Sequence, residues 1–120
     1  MKKLVNLTFL TLIFSCTSIA SLTEEPTFPK TQTLTELSTY EAKLADYVMY
    51  LQVFLTRTKK KVNDPKYPKF TYFDSSILKS EQTIQDLMFN INIFKAYIKI
   101  TKPIAEAVYK KYSKLKINII

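Results

Sequence analysis

The densest chemistry in the chain is a basic and aromatic run. Arg57, Lys59, Lys60 and Lys61 stand close together, Lys66 and Lys69 follow, and Tyr67, Phe70, Tyr72 and Phe73 are set among them. Cations beside aromatic rings suit a membrane surface, where rings sit at headgroup level and lysines meet anionic lipid. The same set can stack on single-stranded nucleic acid. A purely structural reading also stands: cations at a helix C-terminus complement its dipole, and loop aromatics cover the open end of a helical pair. A second basic set, Lys110, Lys111, Lys114 and Lys116, lies near the end of the chain, with Glu106 and Lys110 spaced as an ordinary i,i+4 pair.

The other residue with chemistry of its own is Cys16, the single cysteine of 120 residues. There is no His, Gly or Trp. Without His the usual general base is missing, and one Cys makes neither a thiolate metal site nor an internal disulfide. Without Gly the usual phosphate-cradling loop cannot form. Apart from the adjacent Glu24 and Glu25, the ten acidic residues are scattered along helical patterns. No catalytic residue, metal site or cofactor is expected. The net charge of +8 draws anionic lipid, cell-wall polymer or nucleic acid without choosing among them.

The front of the chain reads as an export signal. Lys2 and Lys3 precede an apolar stretch from Leu4 to Phe14, too short for a span, which needs about 20 residues. Two cuts are open. Ile13-Phe14-Ser15-Cys16 resembles a bacterial lipobox, loose at Phe14, in which Cys16 would receive lipid; a cut after Ala20 would discard the cysteine. The first is favoured, giving a signal over 1–16. Export removes nucleic acid from the expected partners. Residues 17–33, rich in Ser and Thr with Pro26 and Pro29, read as a flexible tether, and 34–120 as a helical domain.

Two elements must position the basic run. Leu37, Tyr40, Leu44, Tyr47, Leu51 and Phe54 recur at a and d spacing, flanked by Val48 and Leu55. Thr33–Glu36 and Ser38–Glu41 offer competing capping boxes, and the helix should end near Lys61 or Val62. Ile77, Ile84, Ile91, Ile98, Ala105, Tyr112 and Ile119 repeat every seven residues, with Leu87, Phe94, Thr101, Val108 and Leu115 between them. A second helix over about 76–116 follows, capped by Asp74, Ser75 or Ser76. Pro103 should kink or briefly break it. The fold expected is all-α: an antiparallel hairpin of two long helices, self-associating into a dimer so that single stripes are covered. The basic aromatic run is then a tip on the order of 40 Å from the base, and the second basic set falls at the membrane-proximal end. The stripes are equally able to engage another protein.

Over nearly its whole length the chain resembles the haemolysin accessory proteins of borrelial plasmid prophages. The likeness rests on MKKLVNLTFLTLIFSC and on YEAKLADYVMYLQVFLTRTKKKVNDPKYPKFTYFDSS with the helix after it. It implies a small, secreted or lipidated, non-enzymatic helper of a holin-like membrane protein in permeabilisation or phage release. A surface lipoprotein binding host molecules, or a structural periplasmic oligomer, is the alternative.

Overall fold

A computed structural model describes residues 21–114. The export signal with Cys16, and Leu115, Lys116 and Ile119 at the other end, lie outside the described residues.

Leu34–Val62 forms the 29-residue helix α1. Of the two competing starts the chain uses the first: Thr33 is extended and its hydroxyl accepts the Glu36 N–H at 3.2 Å. The Glu36 carboxylate accepts from Thr31. At the other end Asn63 takes the left-handed conformation, φ 47° and ψ 47°, and donates its N–H to the Lys59 carbonyl at 3.1 Å. Glycine normally fills that position, and Asn is the residue that substitutes for it at least cost.

Ile84–Tyr112 forms α2, also of 29 residues, with Thr83 as its cap. It starts later than the heptad repeat predicts. Asp74 instead caps a separate 3₁₀ turn over Ser75–Ile77, and Ile77 is exposed. The seven-residue repeat thus continues past the point where the helix stops. The helix passes through Pro103 without the expected break into a third element. Pro103 is on an exposed flank, where the Lys99 carbonyl that loses its donor can turn to water.

The two stripes form the core. Leu37, Tyr40, Leu44, Tyr47, Val48, Leu51 and Leu55 of α1 pack with Leu87, Ile91, Phe94, Ile98, Ala105, Val108 and Tyr112 of α2. Phe54 is only half-buried, and Leu55 and Thr58 carry the stripe at that level. Full burial of a Leu or Ile side chain stabilises by roughly 1.5–3 kcal/mol, so these positions hold the helices together.

Contacts at both ends give the sense of the pairing. Near the two helix starts Asn90 donates to Glu41 at 2.7 Å, and at the two helix ends Tyr112 donates to Asp64 at 2.8 Å. The helices are therefore parallel. The return is made by residues 63–83, a crossover that walks the length of the pair. Tyr67 meets Leu55, the Phe73 N–H meets Gln52, and Lys79 meets Asn90. Residues 21–33 form a strap running in the same direction as the crossover. Ser21 and Thr23 meet Tyr50, Glu25 meets Lys102, and Phe28 packs edge-on against Tyr40. Tyr50 and Gln52 flank the buried Leu51, which puts strap and crossover on opposite sides of α1.

The all-helical fold with two long helices is as expected. Its antiparallel relation, however, holds between each helix and the extended segment beside it, not between the helices. The reason is length: a turn between antiparallel helices takes about 2–8 residues, whereas 63–83 is long enough to cross the domain. The strap corrects a second expectation. Residues 21–33, assigned to a flexible tether, lie against both helices, with Leu22 packed on the core. Strap and crossover supply, within one chain, the cover that the sequence assigned to a second copy.

Candidate functional site

Parallel helices gather the two basic sets at one end. Arg57, Lys59, Lys60 and Lys61 on the last turns of α1 meet Lys66 of the crossover and Lys110, Lys111 and Lys114 at the end of α2. Among the described residues beyond the level of Glu106, one carboxylate, Asp64, stands against these eight cations. The opposite end is nearly balanced, with Glu36, Glu41, Glu81 and Asp86 against Lys30, Lys43 and Lys79. The two helix dipoles point the same way, so both negative C-termini lie at the basic end. The cations complement them there, as Glu36 and Asp86 do in the first turns.

Asp64 organises the basic end. Its carboxylate accepts the Lys66 N–H at 2.9 Å and the Tyr112 hydroxyl at 2.8 Å, and the Lys111 ammonium lies 4.0 Å away. The Lys66 N–H, then the Tyr112 hydroxyl, hold its pKa below the ordinary carboxylate value. The bond to Asp64 in turn raises that of Tyr112. One side chain thereby ties the end of α1, the start of the crossover and the end of α2.

The predicted tip residues divide. Arg57, Lys59, Lys60, Lys61, Lys66 and Lys69 are exposed. Tyr67 is a core residue, 7% exposed, donating to the Leu55 carbonyl at 2.7 Å with its ring 5.7 Å from that of Tyr112. Burial pushes its phenol up to about 12. Phe73 stacks on Phe94 at 5.0 Å and meets Tyr97 edge-on. Phe70 is half-buried, and only Tyr72, 64% exposed, remains a surface aromatic. The basic aromatic tip is thus corrected: the cations stay on the surface, while most of the rings fasten the crossover to the helices. Nor does the second basic set sit at an opposite base, because α2 ends where α1 ends. On the outer face of α1, Met49, Val53 and Tyr72 form a shallow apolar groove edged by Arg57 and Lys60.

Two residues that organise the domain carried no chemical signal in sequence. Asn90 is 3% exposed; it accepts the Lys79 N–H at 2.8 Å and donates to the Lys79 carbonyl at 2.9 Å as well as to Glu41. Its one visible mark is a polar side chain between Phe89 and Ile91. Tyr97 donates to the Thr71 carbonyl at 2.6 Å.

The domain so built is the unit that comparison with known proteins detects. The family described as the Borrelia orf-D family matches residues 21–114, strap and crossover included. The chain belongs to the Borrelia orf-D family. It is also 55% identical over 103 residues to the outer membrane lipoprotein BBA14 of Borreliella burgdorferi, covering 86% of this chain and 85% of that one. The borrelial resemblance therefore holds. Neither the family's description nor the relative's name speaks of a haemolysin or a holin. Membrane location does follow: this family member is an exported, lipid-anchored membrane protein. No helix among its described residues is long and apolar enough to cross a membrane, so the anchor is not a span of α1 or α2.

Proposed function

We propose that this orf-D protein is a non-enzymatic surface lipoprotein whose helical domain works by binding. Cys16 carries the lipid, and signal cleavage falls just before it. The observation that carries this reading is the 55% identity to an outer membrane lipoprotein over most of both chains. Residue chemistry supports it: the chain has no His, and the carboxylates of Asp64 and Glu41 serve to tie segments together. The groove of Met49, Val53 and Tyr72 with Arg57 and Lys60 at its edge suits an amphipathic, acidic partner, apolar contact below and paired charge at the rim. Because neither family nor relative brings a holin, binding at the surface takes precedence over assistance to a permeabilising partner.

Protease treatment of intact cells tests the reading. Rapid loss of the protein is expected, and the mature form extracted from membranes should have the mass of a chain beginning at acylated Cys16. Full protection on intact cells, with digestion only after the envelope is opened, would put the domain on the inner side and end the proposal.

A further inference from the structure

The strap limits where the domain can sit relative to its anchor. It runs away from the basic end, so that its first described residue, Ser21, is the part nearest that end; Ser21 accepts the Tyr50 hydroxyl at 3.3 Å while the Thr23 N–H donates to the same oxygen at 3.0 Å. Leu22 between them packs on the core. Four residues lie between Cys16 and Ser21, and the five chain steps, fully extended, reach about 17 Å. From Tyr50 the end of α1 at Val62 is about 18 Å away along the helix, and its start at Leu34 about 24 Å. The anchor can therefore reach the level of Lys59–Lys61, about 14–17 Å from Tyr50 along the helix, and falls about 7 Å short of the balanced end. The eight cations at that end give it the charge to meet anionic headgroups, each lysine adding attraction near such a surface.

We propose that the basic end is the foot of the protein: it rests on anionic phospholipid headgroups of the leaflet that holds the Cys16 lipid, and the balanced end points away. This rests on Cys16 bearing the lipid. Lipid insertion and the polybasic end then act as two signals on one membrane. Because the strap is docked, no long spacer lifts the domain; its orientation is set by the strap's direction and by charge. The groove of Met49, Val53 and Tyr72 then stands upright beside the membrane.

The test uses the full lipoprotein reconstituted in phosphatidylcholine vesicles with and without phosphatidylglycerol. Because Cys16 is acylated, a fluorophore on Lys60→Cys or on Glu81→Cys is a single label; energy transfer to acceptor lipids reports its distance from the bilayer. The two sites are roughly 33 Å apart along α1, since residue 81 adjoins Gln82, which bonds Ser38. With phosphatidylglycerol present, transfer from residue 60 should exceed that from residue 81 several-fold. Combined Lys59→Gln, Lys61→Gln, Lys110→Gln and Lys114→Gln should shrink the difference, whereas Lys43→Gln with Lys79→Gln should leave it intact. Equal or greater transfer from residue 81, on protein whose mass shows acylated Cys16, overturns the foot while leaving the lipoprotein reading standing. So does a difference untouched by the four-lysine variant. A mature mass beginning at Ser21 removes both.

Discussion

At one end of the domain a neutral amide holds three chain segments together; at the other a carboxylate does the same. Asn90 joins α2 to Lys79 of the crossover and to Glu41 of α1 through three bonds and is almost wholly buried. Asp64 joins the end of α1 to Lys66 and to Tyr112 among eight cations and stays half-buried. The difference follows from surroundings. A buried site tolerates an amide whose hydrogen bonds are all met, whereas a charge there would cost far more. At the basic end a carboxylate is favoured because the neighbouring cations and N–H donors stabilise its ionised form. One clamp is therefore centred on a group that does not titrate, with two of its three bonds to backbone, and the other on a group that does.

The comparison breaks most sharply at Asn90. Asn90→Ala leaves the Lys79 N–H and carbonyl and the Glu41 carboxylate without their partner, and should cost about 3 kcal/mol in urea unfolding. A loss of less than about 1 kcal/mol would mean that water replaces the amide and that the clamp is incidental.

Tyr67→Phe tests the basic end from within. Losing the bond to the Leu55 carbonyl should cost about 1 kcal/mol. The wild-type phenol is raised from 10.0 to about 12 in the folded state, so the folded chain keeps a proton that the unfolded one releases. Its stabilisation is complete below pH 10 and is lost as pH rises toward 12. The variant should show a shallower alkaline decline of thermal stability, the remainder coming from Tyr47, whose phenol burial also pushes to about 12, and from Tyr40, Tyr97 and Tyr112, which are raised as well.

Asp64→Asn sharpens the contrast in acid. The folded carboxyl titrates below its ordinary value of 3.8. Its stabilisation is present above that value and disappears as pH falls through the depressed one. Wild type and variant should differ modestly in urea midpoint at neutral pH and converge in acid, while Asn90→Ala keeps a deficit at both through its lost bonds to the Lys79 backbone.

The smallest effect is expected in the strap. Glu25 meets Lys102 at 3.2 Å with both side chains partly solvated, and such pairs contribute less than about 1 kcal/mol. Glu25→Gln should barely change global unfolding, yet amide exchange over residues 21–28 should rise while α1 is unaffected. Faster exchange in α1 would show that the strap is part of the cooperative core.

Much of this could be read from residue order. Thr33 as one of two candidate caps, the end of α1 near Val62, and the buried faces of both helices follow from capping chemistry and from apolar spacing, both local properties. The late start of α2 did not follow, because Ile77 continues a seven-residue rhythm in a segment that Asn90 holds away from the helix through Lys79. The site was half legible. The run at 57–69 was visible, but the burial of Tyr67 and Phe73 depends on α2, which lies far along the chain. The length of the 63–83 connection was the available warning that it is not a turn.

The sequence by itself determined the export signal, the all-helical class, the end of α1 and the stripes that meet; it left two starts open for α1 and missed Thr83 as the cap of α2. It also determined how many cations the chain carries and where along it they fall. Tertiary structure alone decided that the helices run parallel, that two distant basic sets share one end, and that the strap docks. The physical reason is that periodicity names a face but is blind to direction: an apolar stripe can pack either way along its neighbour. Direction is set by the path of the chain between the stripes and by the polar clamps of Asn90 and Asp64, whose partners come from segments far apart in sequence.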